Sequence, residues 1–179
     1  LGTGHAILLS REFTGNDPFI VAYPDDIVFS GLPLSKQLMD INKMTGSSVM
    51  ALQEMEGDVS RYGVTEFTAK DGRIRVERIV EKPKPGHEPS KMISVGRYLF
   101  TSELMPILEK DFKKHAGGEF YHIDAINALA GEGKMYGCKF EGTRIDIGEK
   151  LGYFEGIVRY VLENNELKGA AKEILKKYI

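Results

Sequence analysis

The sequence predicts an α/β fold built on a mixed β-sheet, and three observations support this prediction. The apolar run FIVA within residues 18–27 is typical of a strand that is covered on both faces. A helical pattern at residues 34–44 and a second apolar strand at 47–54 follow, and this order predicts a crossover onto a parallel sheet. Asp71-Gly72 separates two further β-runs, which predicts an antiparallel hairpin.

The other elements are read in chain order from the same periodicities. Residues 4–13 predict a short helix before the first strand. The hairpin strands at 62–68 and 73–80, with a third strand at 93–100, predict a β-rich lobe near residues 57–100. Two helices are predicted next, one that begins at Ser102 and one at 123–129, and short strands follow at 135–141 and 143–146. Two amphipathic helices, at 149–162 and 167–178, are predicted to form a helical tail from residue 149.

The composition excludes several classes of protein. The chain has 179 residues, 42% of them hydrophobic and 28% charged, as in a folded globular domain rather than a disordered chain. The net charge of −2 provides no general attraction to nucleic acid or to a membrane surface, and no apolar run approaches the length of a membrane span. Cys138 is the single cysteine, so neither an intramolecular disulfide nor a cysteine metal cluster is expected, and a reducing, cytoplasmic compartment fits best.

Two aspartates are placed where strands are predicted to end. Asp25, followed by Asp26, comes after the first apolar strand, and Asp146 comes after the strand at 143–146. Ligands of open parallel sheets bind outside the carboxyl ends of the strands, and a carboxylate there can hold Mg²⁺ beside phosphates. The alternatives are that the Asp25-Asp26 pair simply opens a turn and that Asp146 caps the following helix.

Glu81-Lys82-Pro83 leads from a strand into a proline-rich loop. In an extended segment the two charged side chains point to opposite sides. The carboxylate could accept hydrogen bonds from sugar hydroxyls, and the ammonium group could neutralise a phosphate. The alternative is a solvated charged turn. Gly2 and Gly4, at the start of a helix, provide a weaker signal for an anion or a base edge.

These motifs resemble one known family when they are taken in their order along the chain. LGTGHA, YPDD, RYGV, VEKP, SVGRY, GGEF..IDAI and FEGTRIDIGEKLGY are similar to the sugar-phosphate nucleotidyltransferases, and within them to the bacterial UTP–glucose-1-phosphate uridylyltransferases. The resemblance runs from residue 1 to about residue 161.

The resemblance implies a Rossmann-like fold with an inserted sugar-binding lobe. It implies Mg²⁺-dependent transfer of uridylyl from UTP to glucose 1-phosphate, with UDP-glucose and pyrophosphate as products. The resemblance also implies roles for residues at matched positions. Gly2 would contact uracil, and Asp25 and Asp146 would bind Mg²⁺. Around the sugar, Tyr62 and Gly63 would border the ring, Glu81 would hold glucose hydroxyls, Lys82 would hold the phosphate, and Val95 and Gly96 would line the pocket.

The sequence also departs from the pattern of this family. The family helix often reads GEIQLTDAI, whereas Tyr121, His122 and Ile123 stand here in place of Gln, Leu and Thr. The family's glycine-rich loop with Arg and Lys on the triphosphate is not found in these 179 residues, so we expect the chain to be inactive by itself.

Two other functions stay open from the sequence. One is a related thymidylyl- or adenylyltransferase, and the other is a sugar-phosphate-binding module without catalytic activity. We further expect a homo-oligomer, because amphipathic tail helices are suited to packing on a partner.

Overall fold

The computed structural model describes residues 1–178, and within them a mixed α/β fold confirms the predicted class. The strands are β1 (Phe19–Ala22), β2 (Asp26–Phe29), β3 (Ser48–Glu54), β4 (Gly63–Lys70), β5 (Arg73–Glu81), β6 (Met92–Phe100), β7 (Met135–Lys139) and β8 (Thr143–Asp146). The helices are α1 (Gly2–Leu9), α2 (Arg11–Thr14), α3 (Leu34–Thr45), α4 (Leu104–Phe112), α5 (Ile123–Gly131), α6 (Lys150–Glu163) and α7 (Lys168–Leu175).

Six strands form one sheet in the order β1-β6-β3-β7-β5-β4, and β2 pairs with β8 in a separate two-stranded sheet. The strands β3 and β7 are parallel, whereas β6 is antiparallel to both β1 and β3. Consequently β1 and β3 run in the same direction, as the crossover predicts, but they are not neighbours because β6 lies between them. The three strands of the predicted β-rich region at 57–100 therefore belong to the main sheet.

The first strand differs from its prediction. It ends at Ala22, and Asp26 begins β2 instead of ending β1. The side chains of β1 alternate between half-buried and exposed positions, so the strand is not covered on both faces. Its position at the edge of the sheet explains this exposure, because Phe19 and Val21 pack against the core while Ile20 and Ala22 face outward.

At two turns the structure has the backbone conformation that the local sequence predicts. Asp71 and Gly72 have φ angles of 51° and 70°, and positive φ at both central residues is the requirement of a type I′ hairpin turn. The helix α3 ends at Gly46, which has the left-handed φ of 67° that glycine adopts without a steric penalty. The predicted first helix is interrupted at Ser10 and forms α1 and α2.

The main sheet is packed on both sides. On one side, residues of α4 and α5 pack with Tyr98 and Phe100 of β6. On the other side, residues of α3 pack with Val95 and Leu99 of the same strand. This alternation along β6 fixes which of its side chains face each layer.

The tail helices α6 and α7 present a largely exposed apolar surface. The large apolar side chains that α6 exposes are Leu151, Tyr153, Phe154, Ile157 and Tyr160. The homo-oligomer that we expect from the tail helices is not tested by a single chain and stays a prediction.

None of the helices in the described part of the chain is long and apolar enough to cross a membrane.

Candidate active site

The small sheet of β2 and β8 brings the two predicted metal-binding aspartates together. Asp26 lies opposite Asp146 in the antiparallel register, so Asp25 is next to the end of β8. The backbone N–H of Ile147 donates a hydrogen bond to the carbonyl oxygen of Asp25 at 2.8 Å, which fixes the two chain segments side by side.

Both carboxylates face the same point beside Gly148. A Cβ atom placed on Gly148 would lie 3.1 Å from Oδ1 of Asp146 and 3.5 Å from Oδ2 of Asp25. The N–H of Gly148 also donates to Oδ1 of Asp146 at 3.1 Å. Glycine at this position therefore leaves room between two anionic groups, of which Asp25 is exposed and Asp146 is half-buried.

The two carboxylates fit a magnesium ion that completes its shell with other oxygens. Among the described residues, no group of three or more His, Cys, Asp or Glu side chains is arranged to hold a metal ion. Mg²⁺ is commonly held by one or two carboxylates together with water and substrate phosphates. The donor set of Asp25 and Asp146 matches this mode of binding.

Asp26 has a structural role beside this pair. Its carboxylate forms a buried ion pair with Arg144 and accepts a hydrogen bond from the N–H of Gly96 at 2.8 Å. The guanidinium of Arg144 also lies 3.3 Å from Oδ2 of Asp146. Burial by itself lowers the pKa of Arg144, but the charges of Asp26 and Asp146 raise it overall, so the guanidinium stays protonated. Sequence reasoning missed Arg144, although residues two apart on a strand share a face and Arg144 precedes Asp146 by two.

A cavity of about 220 Å³ lies next to the aspartates and contains most of the predicted sugar-binding residues. Gly63 lies opposite Glu81 in the β4–β5 register, and a Cβ on Gly63 would lie 3.0 Å from Oε2 of Glu81. The lack of a side chain at Gly63 therefore leaves room for the Glu81 carboxylate beside the backbone of β4. Tyr62, Gly63, Glu81 and Gly96 line this cavity, together with Asp26 and Arg144.

Besides the metal-binding pair Asp25 and Asp146, three of the predicted substrate-binding residues do not line this cavity. Lys82 has a left-handed φ of 46° and is exposed, so the prediction that it continues an extended segment is wrong. Val95 is 2% exposed and its side chain packs in the core on the other side of β6, so the expectation that it lines the pocket is not met by its side chain. Gly2 packs against the backbone of Phe120, while the next residue, Thr3, lines the cavity.

An aromatic wall completes the cavity, and sequence reasoning missed it. Tyr98 and His122 contact each other edge to face with ring centroids 5.2 Å apart, and Tyr23 adjoins both rings. Burial raises the pKa of Tyr23 and of Tyr98, so both phenols stay protonated. The alternation of Ser94, Gly96 and Tyr98 on β6 is a signal that could have found this face, whereas no local signal joins His122 to Thr3.

A neighbouring cavity of about 580 Å³ shares Glu81 with this one, whereas the two most spacious cavities lie elsewhere and are lined by none of the predicted site residues. One, of about 750 Å³, is lined by residues from Leu52 to Gly57 and by Phe140. The other, of about 660 Å³, lies beside Phe29 and Arg159. The predicted residues thus meet at a smaller cavity and not at the most spacious depression of the surface.

The chain is similar to known proteins over almost its whole length. The family model described as "Nucleotidyl transferase" matches residues 1–162. The chain is 43% identical over 178 residues to a UTP–glucose-1-phosphate uridylyltransferase of Staphylococcus epidermidis, and 40% identical to that of Staphylococcus haemolyticus. Each alignment covers 98% of this chain and 62% of the relative, so the chain spans less than two thirds of the length of these proteins.

Solved structures show the same fold. UDP-glucose pyrophosphorylase from Acinetobacter baumannii superimposes with a TM-score of 0.85 at 27% identity, over 99% of this chain and 62% of that one. A UDP-glucose pyrophosphorylase complexed with UDP-glucose matches with a TM-score of 0.79 at 30% identity, over 91% of this chain and 63% of that one. Because the family model covers residues 1–162, about nine tenths of the chain, this chain belongs to the nucleotidyl transferase family.

Proposed function

We propose that these residues form the sugar-phosphate and metal side of an enzyme that transfers uridylyl from UTP to glucose 1-phosphate, giving UDP-glucose and pyrophosphate. The names of the Staphylococcus relatives support this reaction. The observation that carries the proposal is the adjacency of the two parts of the site. Asp26 lines the cavity and is bonded to Gly96, while its chain neighbour Asp25 faces Asp146.

Asp25 and Asp146 would hold the Mg²⁺ ion in this proposal. The ion, when bound, supplies positive charge that stabilises the phosphates during transfer. Arg144 fixes the position of Asp146 and neutralises Asp26, so the repulsion among three neighbouring carboxylates is reduced.

The sugar would lie in the cavity between β4, β5 and β6. Glu81 accepts hydrogen bonds from its hydroxyl groups, since an ionised carboxylate is an acceptor only. Tyr62 borders the ring, and Gly63 and Gly96 line the cavity because Glu81 packs over the first glycine and Tyr23 over the second. The Lys82 side chain, on the adjoining exposed loop, offsets the charge of the phosphate of glucose 1-phosphate.

The reaction needs positioning more than covalent participation by the protein. A phosphate oxygen of glucose 1-phosphate forms a bond to the α-phosphorus of UTP. The bond from that phosphorus to the oxygen bridging to the β-phosphate breaks, and pyrophosphate leaves with the electron pair. No general base is required, because the attacking oxygen is already ionised.

Calorimetric titration of the protein with UDP-glucose, dTDP-glucose and ADP-glucose, each with and without Mg²⁺, tests this proposal. We expect UDP-glucose to bind most tightly, and we expect Asp25→Asn or Asp146→Asn to abolish the effect of Mg²⁺. A preference for dTDP-glucose or ADP-glucose would indicate a related transferase. Binding of glucose 1-phosphate without any effect of Mg²⁺ would indicate a non-catalytic sugar-phosphate-binding module.

Catalysis by the 179 residues alone is a separate prediction. With UTP, glucose 1-phosphate and Mg²⁺, we expect pyrophosphate release well below about 1 s⁻¹, the low end for ordinary enzymes. A rate at or above that value would show that these residues suffice for turnover.

A further inference from the structure

His122 is a buried polar residue of the sugar cavity to which neither the resemblance nor the mechanism assigns a role. It precedes the first turn of α5, is 2% exposed, and lines the cavity together with Tyr23 and Tyr98.

One nitrogen of the imidazole is bonded and the other is not. Nδ1 of His122 lies 3.0 Å from Oγ1 of Thr3, across 119 residues of sequence. Nε2 is buried and has no hydrogen-bond partner among the described residues. A buried polar atom without a partner is costly, and such atoms in folded proteins generally mark a bound water, a ligand or a functional role.

The protein around the ring provides no conventional acceptor for Nε2. The neighbouring rings of Tyr98 and Phe100 meet the imidazole edge to face at 83° and 81°. The hydroxyl of Tyr98 is bonded to that of Ser94 at 2.9 Å. Nε2 therefore keeps a hydrogen-bonding capacity that none of the described residues uses.

The charge state of the ring indicates which ligand group it suits. Burial lowers the pKa of His122 to about 4, so the imidazole is neutral near pH 7. A neutral ring has no net charge to attract a phosphate, whereas it can donate to or accept from a hydroxyl group. With the Glu81 carboxylate on the same cavity, the polar groups on these walls match a polyhydroxylated ring.

We propose that His122 determines sugar specificity by hydrogen bonding through Nε2 to one hydroxyl of the bound hexose, with Thr3 holding the ring in place through Nδ1. This inference rests on the proposed function, because it assumes that the cavity holds the sugar of glucose 1-phosphate.

Calorimetry with glucose 1-phosphate and its four monodeoxy analogues, lacking the hydroxyl at position 2, 3, 4 or 6, provides the test. In the unmodified protein, we expect removal of the hydroxyl that pairs with His122 to weaken binding about tenfold, which corresponds to about 1.4 kcal/mol. In His122→Leu that analogue should bind as tightly as glucose 1-phosphate, since the partner of the missing hydroxyl is gone. Removal of a hydroxyl that Glu81 binds should weaken binding equally in the unmodified protein and in His122→Leu, which provides an internal control.

Two polar variants separate the roles of the ring nitrogens and guard against misfolding. The amide of glutamine reaches the position of Nε2, so His122→Gln should restore the discrimination between the sugar and its analogue. The shorter asparagine reaches the position of Nδ1, so His122→Asn should keep the bond to Thr3 but lose the discrimination. In the unmodified protein, the NMR resonance of the His122 Nε2 nitrogen should shift when glucose 1-phosphate is added.

The outcomes distinguish this inference from the proposed function. In one outcome, the unmodified protein binds glucose 1-phosphate, but each deoxy analogue loses the same affinity in the unmodified protein and in His122→Leu. The ring is then structural and donates weakly to an aromatic face, and the inference is overturned. If the unmodified protein does not bind glucose 1-phosphate at all, the proposed function is overturned and the inference with it.

Discussion

Arg144 and Asp26 form an ion pair whose side chains are 9% and 11% exposed, and the same guanidinium reaches Asp146 at 3.3 Å. This contact connects β2 to β8. It gives the Asp26 carboxylate a structural role, which distinguishes Asp26 from Asp25 and Asp146, the pair that faces Gly148. The site therefore depends on a cation that the protein itself provides.

Removal of one partner of this ion pair should strongly destabilise the protein. Arg144→Met leaves the buried Asp26 carboxylate without its counter-charge, and we expect the free energy of unfolding to fall by about 3–5 kcal/mol. Urea denaturation measures this change. The exposed pair Lys176–Glu173 is the matched control, and Lys176→Met should change the free energy by less than about 1 kcal/mol. Equal effects of the two substitutions would contradict the assigned role of Arg144.

Addition of a methyl group at Gly148 should impair metal binding. The new Cβ would lie 3.1 Å from Asp146 Oδ1 and 3.5 Å from Asp25 Oδ2, in the space between the carboxylates. We expect Gly148→Ala to weaken Mg²⁺-dependent binding of UDP-glucose by about tenfold, the equivalent of about 1.4 kcal/mol. Gly169→Ala is the control, since a Cβ there meets no atom within 4 Å. Unchanged binding in Gly148→Ala would show that the metal does not use this space.

His122 should make stability depend on pH in a defined window. Its pKa is lowered by burial from 6.5 to about 4 in the folded protein, so the unfolded chain binds more protons between these values. The stabilisation is complete above about pH 6.5 and is lost as the pH falls towards 4, by up to about 3 kcal/mol. Urea denaturation across this range should show the loss in the unmodified protein and a smaller loss in His122→Leu. Parallel pH profiles of the two proteins would refute the assignment.

Lys82 should matter for ligand binding and not for stability. Its φ of 46° lies in the left-handed region, which asparagine tolerates better than most residues. We expect Lys82→Asn to weaken binding of glucose 1-phosphate by about tenfold or more, since the cation is lost, while the free energy of unfolding stays the same or rises by less than about 1 kcal/mol. Calorimetry and urea denaturation of the same sample measure both effects, and near-normal affinity would reject the role of Lys82.

The extent to which the fold follows from sequence depends on how local each signal is. The hairpin at Asp71-Gly72 is predictable because two adjacent residues determine its turn. The neighbours of β1 are not, because the insertion of β6 between β1 and β3 depends on pairing across about 80 residues. The half-exposed character of β1 follows from that edge position, which the apolar run alone does not reveal.

The candidate site also contains residues that local sequence signals place together and residues that only the fold brings together. Asp25 and Asp146 converge because β2 pairs with β8, whereas the sequence predicts Asp25 at the end of the first strand. Glu81 and Gly63 face each other because the hairpin register places them opposite. The bond between Thr3 and His122 connects residues 119 positions apart, and no periodicity within either segment indicates it. The side-chain direction of Val95 depends on the alternation along β6, which places it in the core.

Amide NMR during titration with UDP-glucose in the presence of Mg²⁺ tests most directly whether the sugar cavity and the aspartate pair form one site. We expect the resonances of Gly63, Gly96 and Gly148 to shift together and to saturate at the same ligand concentration. Gly57, in the larger cavity near Phe140, should not shift. Shifts at Gly57 without shifts at Gly63, Gly96 and Gly148 would show that the ligand binds elsewhere and that the cavity and the aspartate pair do not form one site.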